Sequence, residues 1–198
     1  LLWFATYFRG LDWRADFTAF YTGWRMLLTG VGRQLYDYSL QTTIQQRILS
    51  GRHLAGGLLA FNYPPHFALI FVPFGLLPRR EAYVVWFLGQ CLLLWLLWRA
   101  LKVFSEVRHL PKYFICLAFV VIVALPSMLS TLLLGALSLL ILISLLRFSN
   151  ALRRSDFRSA ALWVTVMSLK PQTAFLPTVL LLIVGQWLRP HIPALSLS

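Results

Sequence analysis

Long apolar runs separated by short polar stretches make up most of this chain. The most uniform runs are Ala82–Trp98 and Leu132–Leu146. Apolar segments approaching 20 residues are typical of transmembrane helices, because a helix of about that length crosses the hydrocarbon core. Shorter apolar segments are Phe61–Leu77, Tyr113–Leu125, Ser159–Leu169 and Thr173–Leu188. The pattern predicts an all-α fold, a multi-pass transmembrane helical bundle with about six short or full membrane helices in residues 61–188.

Residues 9–60 are more polar and predict a first extracytoplasmic loop that carries two short helices. Apolar residues recur at helical spacing from Ala15, with Asp16 at the N-cap position and Gly30 at the left-handed stop. A second helix is predicted from about Ser39 to Ser50, with Leu40, Ile44 and Ile48 on its apolar face. Aromatic-rich amphipathic helices beside membrane spans usually lie in the interface.

The preceding segment, Leu1–Phe8, is too short to span a bilayer and lacks a basic region of the signal-peptide kind. We interpret it as the end of a truncated first transmembrane helix. The expectation is therefore a single partial membrane domain over residues 1–198.

Prolines and one lysine interrupt the apolar pattern. Pro64, Pro65 and Pro73 fall in Phe61–Leu77, where they predict kinks or irregular backbone that lines a cavity. Lys170, followed by Pro171 and Gln172, splits the last apolar pair. Either Lys170 tops a tight hairpin, or it lies at depth and faces a polar cavity.

The basic segments Arg99–Lys112 and Arg147–Arg158 predict cytoplasmic loops by the positive-inside rule. If the first loop faces outward, two full crossings before residue 99 would leave the first of these basic segments outside. One of Phe61–Leu77 and Ala82–Trp98 is then expected to be re-entrant, and the sequence leaves open which.

Composition supports a membrane protein. The 198 residues are 59% hydrophobic and 12% charged, whereas soluble domains carry about 25% charged residues. The net charge is +12, and the basic residues lie mainly between apolar segments, so membrane lipids are their expected partner.

No nucleic acid is expected, since no basic stripe with interleaved aromatics is present. Cys91, Cys116 and the scattered histidines have no ligand spacing, so neither a metal nor a cofactor is predicted.

Three of the six acidic residues lie in the first loop. Asp16 has two interpretations, a helix cap that accepts backbone N–H bonds or a general base, and its spacing favours the cap. Asp12 is interpreted as a solvated loop residue and Asp37 as the cap of the second helix. Lys170 is either a snorkelling lysine or a charge for phosphate. Asn62, Tyr63 and His66 are interfacial residues beside a proline kink or part of a site.

A series of short motifs resembles glycosyltransferase family 87, a family of GT-C membrane glycosyltransferases. The motifs, in order, are Asp16-Phe17 with Tyr21, Gly30, Leu35-Tyr36-Asp37, Phe61-Asn62-Tyr63-Pro64-Pro65, Pro73, Leu77-Pro78, Trp86 and Lys170-Pro171-Gln172. Members are roughly twice as long as this chain, so the resemblance covers about the first half of such a protein. Gly135-Ala136 departs from the Gly-Gln that often opens a helix in the family.

The resemblance implies transfer of a hexose, mannose first among them, from a polyprenyl-phosphate donor to a lipid or glycan acceptor. It implies inversion at the anomeric carbon and an outward-facing site in a bacterial plasma membrane. Asp16 is then the catalytic base, and Lys170 is the first candidate for the phosphate, with Arg14 and Arg25 behind it. Tyr63, His66 and Gln172 complete the expected substrate-binding set.

Two other functions stay open at this point. A non-catalytic transporter or flippase of lipid-linked sugars would also explain a buried lysine and aromatic helices, although the two halves show no self-similarity of the kind that inverted repeats produce. The second of these functions is that of a structural subunit that completes its core with a partner.

Overall fold

The computed structural model describes residues 15–49 and 57–188, and within them the chain forms helices and no strands. The predicted all-α class is confirmed for this part of the chain. The segment Leu1–Phe8 and the candidate Arg14 lie outside the described residues. The helices are α1 (Ala15–Leu28), α2 (Tyr38–Ile48), α3 (Pro65–Phe71), α4 (Arg79–Arg108), α5 (Lys112–Ala124), α6 (Pro126–Leu134), α7 (Ser138–Arg153), α8 (Phe157–Met167) and α9 (Pro171–Leu188).

The first two helices begin and end near their predicted positions. Gly30 has a φ of +79°, and the N–H of Val31 bonds the carbonyl of Met26 at 3.1 Å, while that of Gly30 bonds Leu27 at 3.2 Å. These two bonds form a Schellman motif, which ends α1 at the predicted glycine. Asp37 caps α2, since its side chain accepts from the N–H groups of Ser39 and Leu40. Asp16 is the second residue of α1 and not the residue before it, so its prediction as the N-cap is wrong.

The apolar face predicted for α2 packs against the core, but it is only partly buried. The most deeply buried side chains of α2 are the polar Gln41 and Gln45. Their amides make hydrogen bonds to a neighbouring segment, which is why polar side chains occupy this position.

Helix α4 is longer than the sequence predicted. It continues past Trp98 to Arg108, so the loop expected at Arg99–Lys112 is wrong for most of its length. Arg99 and Lys102 are compatible with a helix because they lie along aromatic rings. The guanidinium of Arg99 lies 5.1 Å from the ring centre of Trp95, and the ammonium of Lys102 lies 5.2 Å from that of Trp98. The helix ends at His109, which has a left-handed φ of 54°.

The segment Leu132–Leu146 does not form one continuous helix. Gly135, with a φ of +81°, ends α6, and α7 begins three residues later and continues through Arg153. The basic loop predicted at Arg147–Arg158 is therefore largely helical, and its turn is confined to the residues just before α8. The end of the predicted segment Tyr113–Leu125 coincides with a bend, since α5 and α6 meet at Pro126 at 66°.

One helix of the described residues is long and apolar enough to cross a membrane, and it is α4, over Arg79–Glu106. The bent pair of α5 and α6 would provide a second span if it crosses as one unit. The segment Phe61–Leu77 folds as α3 followed by a 3-10 turn, Val72–Leu76. Its 12-residue helical part extends about 18 Å at 1.5 Å per residue, which is well short of a bilayer core of about 30 Å.

In the described residues, the helices pack around one aromatic core and two smaller apolar clusters. The aromatic core joins α1 to α2, α3, the 3-10 turn and the first turns of α4. Helices α4, α7 and α8 pack side by side, and α9 packs on α8. The start of α1 therefore lies where α4, the α6–α7 junction and the α8–α9 turn come together.

Candidate active site

An aromatic cluster supports the start of α1. Phe20 lies 4.8 Å from both Tyr63 and Phe67, and Trp24 lies 5.6 Å from Trp86, measured between ring centres. The rings on α1 recur at helical spacing, so they form one buried face of the helix. Asp16 comes one residue before the first of these rings, Phe17, which is itself fully buried.

Asp16 is a half-buried carboxylate with a neighbouring cation. Burial raises the pKa of Asp16 above its ordinary value, and the positive charge of Lys170 lowers it in opposition. The loss of hydration is the larger of these effects. Asp37 differs, because hydrogen bonds from the hydroxyl of Ser39 and the N–H of Leu40 lower the pKa of that exposed carboxyl. Asp37 is therefore a helix cap, whereas Asp16 is a group available for proton transfer.

Tyr63 lies beside the same carboxylate. Burial raises the pKa of Tyr63 to about 12, and the negative charge of Asp16 contributes to the increase. Its phenol consequently stays protonated at physiological pH and can donate a hydrogen bond. We call Asp16, Tyr63 and Lys170 the Asp16 cluster.

Two glutamines of α2 hold the segment that leads to Tyr63. Gln45 accepts from the N–H of Leu59 and donates to its carbonyl, both at 3.0 Å. Gln41 accepts from the N–H of Phe61 at 2.8 Å and donates to its carbonyl at 3.3 Å. This glutamine pair bonds alternate residues of an extended segment as a neighbouring β-strand would. The backbone of Tyr63 is also held, since its carbonyl accepts the hydroxyl of Tyr36 at 2.9 Å.

A polar stripe on α4 holds the junction between α6 and α7. Tyr83, Trp86 and Gln90 donate to the carbonyls of Leu133, Gly135 and Ala136, at 3.0, 2.9 and 3.0 Å. A Cβ on Gly135 would lie 3.0 Å from both the Cβ of Phe17 and the indole nitrogen of Trp86. The junction therefore contacts α1 one residue from Asp16. We call these three residues the α4 stripe.

Lys170 lies in the turn between α8 and α9, which agrees with the hairpin interpretation of its position. Its N–H bonds the carbonyl of Met167 at 2.9 Å, and its own carbonyl accepts the hydroxyl of Thr173 at 2.7 Å. The preceding Leu169 is buried in the aromatic core. The turn is thus anchored beside α1, and this anchoring brings the ammonium within electrostatic range of Asp16.

Comparison with known proteins identifies the family at this point. The model of glycosyltransferase family 87 matches residues 61–190, about two thirds of the chain. The chain belongs to glycosyltransferase family 87. No curated protein and no solved structure matches it.

Membership makes this chain a glycosyltransferase and a membrane protein, as the members of family 87 are. The match includes Tyr63, His66, Lys170 and Gln172. Asp16 lies before the matched residues, so its place in the site depends on the geometry rather than on the family match.

Of the other predicted site residues, His66 and Gln172 follow members of the Asp16 cluster closely in the chain, whereas Arg25 lies far from it. His66 is exposed in the first turn of α3, and Gln172 is exposed in the first turn of α9, two residues after Lys170. Arg25 is in the last turn of α1, where its guanidinium donates to the carbonyl of Gly75 at 3.3 Å. It lies nine residues from Asp16, about 13 Å along the helix, so the structure does not bring it to the cluster.

Sequence reasoning missed the structural roles of the α4 stripe and the glutamine pair. Both have a periodic signal: Tyr83, Trp86 and Gln90 follow i, i+3, i+7 in a helix whose other faces are apolar, and Gln41 and Gln45 follow i, i+4. Buried polar groups need partners, so such spacing indicates side chains that bond another backbone segment.

Proposed function

We propose that this glycosyltransferase moves a hexose, mannose being the first candidate, from a polyprenyl-phosphate donor to a hydroxyl of a lipid or glycan acceptor. The reaction proceeds with inversion at the outer face of a bacterial plasma membrane. The observation that carries this proposal is that the half-buried carboxylate of Asp16 lies within electrostatic range of the Lys170 ammonium.

Asp16 acts as the general base in this proposal. The acceptor oxygen attacks the anomeric carbon, the bond from that carbon to the phosphate oxygen breaks, and its electron pair leaves with the phosphate. The acceptor proton passes to the carboxylate of Asp16. A carboxylate whose pKa is raised by burial takes a proton more readily, since general-base catalysis is most effective when the pKa approaches the working pH.

Lys170 stabilises the leaving phosphate. Negative charge grows on the phosphate as the bond breaks, and a fixed cation lowers the energy of that transition state more than that of the bound donor. Tyr63 can donate its phenolic proton to a sugar or phosphate oxygen, because its pKa of about 12 keeps it protonated. His66 and Gln172 are exposed close to Tyr63 and Lys170 in the chain and contact the substrate in this proposal.

The test is transfer of radiolabelled mannose from polyprenyl-phosphate-mannose by membranes that contain the full-length protein, with wild type and Asp16→Asn compared. Asparagine keeps the shape of the side chain but cannot accept the proton, so transfer should fall by about 10²–10⁴-fold. Asp37→Asn is the matched control. It removes the same charge from the same loop, and asparagine is an equally good cap, so its transfer rate should stay near wild type.

Wild-type transfer retained in Asp16→Asn would rule out the base assignment. Loss of transfer in both variants would attribute the effect to the charge of the loop instead. If wild-type proteoliposomes moved the lipid-linked sugar across the bilayer without making a glycosidic bond, the transporter alternative would replace this proposal.

A further inference from the structure

A polar cavity of about 200 Å³ lies at the end of the bundle opposite the Asp16 cluster. It forms where the last turn of α7 meets the first turn of α8, and its lining includes Arg147, Asn150, Arg154, Asp156 and Trp163. Lys170 follows the other end of α8, an 11-residue helix that is about 16 Å long. The cavity is therefore separate from the proposed transfer site, and what it binds does not depend on the proposed function.

Asn150 is the unusual residue of this cavity. Its side chain is 4% exposed, and neither the amide nitrogen nor the amide oxygen has a hydrogen-bond partner in the part of the chain that the structure describes. Buried side-chain amides are nearly always paired, because an unpaired one has lost its hydration without replacement. An amide that keeps both a donor and an acceptor unpaired in the wall of a polar cavity indicates a ligand that can both accept and donate.

The charges around Asn150 indicate the sign of that ligand. The cavity has two guanidinium groups, Arg147 and Arg154, and one carboxylate, Asp156. That carboxylate already accepts the N–H of Ser159 at 3.0 Å and caps α8. The balance is positive, and arginine is suited to phosphate because its planar donors can bond two oxygens together.

We propose that this cavity binds a phosphate that bears a hydroxylated headgroup. Arg147 and Arg154 bond the phosphate oxygens, the Asn150 amide N–H donates to one of them, and the Asn150 amide oxygen accepts from a hydroxyl of the headgroup. The cavity is smaller than the ~300–1,000 Å³ typical of sites for drug-sized ligands, which suits a headgroup rather than a whole glycolipid.

Two sources offer this chemistry: an anionic phospholipid such as phosphatidylglycerol, or a free polyol phosphate. The surroundings favour the lipid. Trp163 lines the cavity, its neighbour Leu162 is 60% exposed, and tryptophan beside exposed apolar residues is typical of headgroup depth.

The experiment titrates the purified chain in detergent with short-chain phosphatidylglycerol, phosphatidic acid and phosphatidylcholine, and with free glycerol 3-phosphate, and measures dissociation constants by native mass spectrometry. Arg147→Gln and Arg154→Gln should each weaken phosphatidylglycerol binding by about tenfold, the usual effect of losing a charge-assisted bond. Arg153→Gln is the matched control, since it removes the same charge from an adjacent exposed position outside the cavity; its binding should change less than about twofold.

Asn150→Leu tests the amide without endangering the fold, because an unpaired amide contributes no internal hydrogen bond that leucine would lose. It should weaken phosphatidylglycerol, which loses both amide hydrogen bonds, by a larger factor than phosphatidic acid, which has no headgroup hydroxyl and loses only the bond to its phosphate. Glycerol 3-phosphate binding as tightly as the lipid would support the site and assign its ligand to the soluble source. Equal losses in Arg153→Gln and Arg154→Gln, equal binding of phosphatidylcholine, or the absence of saturable binding would overturn the proposal.

Discussion

The pKa of Asp16 is subject to two opposing influences. Burial raises its pKa and the ammonium of Lys170 lowers it, with burial the stronger. A lone buried carboxylate would be protonated too readily to act as a base, and a fully solvated one would be weakly basic. The lysine therefore has two effects in the proposed reaction, since it holds Asp16 ionised and offers a charge to phosphate.

Replacing Lys170 by methionine should move the acidic limb of the pH–rate profile to higher pH. The ammonium lowers the pKa of Asp16, so its removal raises that pKa, and the deprotonated base is lost at a higher pH as the solution is acidified. The measurement is kcat/KM against pH, which reports the free enzyme. Lys170→Arg keeps the charge and should leave the limb near its wild-type position. An unchanged limb in Lys170→Met would contradict the electrostatic influence of Lys170 on Asp16.

The helices position the Asp16 cluster through side chains that bond the backbone of other segments. The glutamine pair holds residues 59–61, which lead to Tyr63, and the α4 stripe holds the α6–α7 junction against α1. Each contact joins a regular helix to an extended segment or to the end of another helix. Such contacts fix where an irregular segment lies, because its buried N–H and carbonyl groups have few alternative partners.

Gln41→Ala should lower the free energy of unfolding by about 2–4 kcal/mol, because it leaves buried backbone groups of Phe61 and Leu35 without partners. The matched control is Gln46→Ala, an exposed position of the same helix, which should change stability by less than about 0.5 kcal/mol. Thermal unfolding in detergent measures both. Similar unfolding temperatures for the two variants would show that the glutamine pair is dispensable.

Gly135→Ala should also destabilise the protein, by about 1–3 kcal/mol. Alanine is strained at a φ of +81°, and its Cβ would press on Phe17 and Trp86 at 3.0 Å. Gly89→Ala is the contrasting control, because that helical position has nothing within 4 Å of the added Cβ; there alanine should be neutral or stabilise by up to about 1 kcal/mol. Chemical denaturation of the two variants distinguishes strain at Gly135 from a general effect of added methyl groups.

The outer surface of the molecule includes an apolar face along α4, which is exposed in the isolated chain. On α4, Val84, Leu88, Leu92 and Trp95 are all at least 50% exposed and recur at helical spacing. A soluble protein rarely exposes a continuous apolar stripe of this kind, whereas a helix that meets lipid does so along its length. Together with family membership, this stripe is consistent with α4 as a membrane span.

Leu92→Lys, in the middle of α4, should reduce membrane insertion of the helix by about 2.5–3.5 kcal/mol, the cost of a central lysine. Leu92 is 56% exposed, so the lysine would face lipid rather than break the core. The control Glu106→Lys lies at the end of the candidate span Arg79–Glu106, where lysine reaches the headgroups at little cost. A glycosylation-tagged insertion assay compares the two, and equal insertion would count against α4 as a lipid-facing span.

The sequence by itself determined the helical class, the stop at Gly30, the cap at Asp37, the segment end at Leu125 before Pro126, and the family. These features depend on local chemistry: a positive φ that suits glycine, a carboxylate that reaches two N–H groups, and a ring that removes a backbone donor. The helix ends at Trp98 and Leu146 were predicted wrongly because basic residues were interpreted as loops. Helices α4 and α7 continue through these residues, and the long side chain of Arg99 lies along the ring of Trp95.

Only the tertiary structure decided which polar residues meet. Asp16 and Lys170 are 154 residues apart in the chain, and no periodic pattern links them. They approach because the α8–α9 turn is anchored by Leu169 in the aromatic core, while α1 is anchored in the same core by its rings. The sequence favoured Asp16 as a cap, since spacing reports only near neighbours; burial and the distant ammonium, which depend on the packing of whole helices, distinguish it from Asp37.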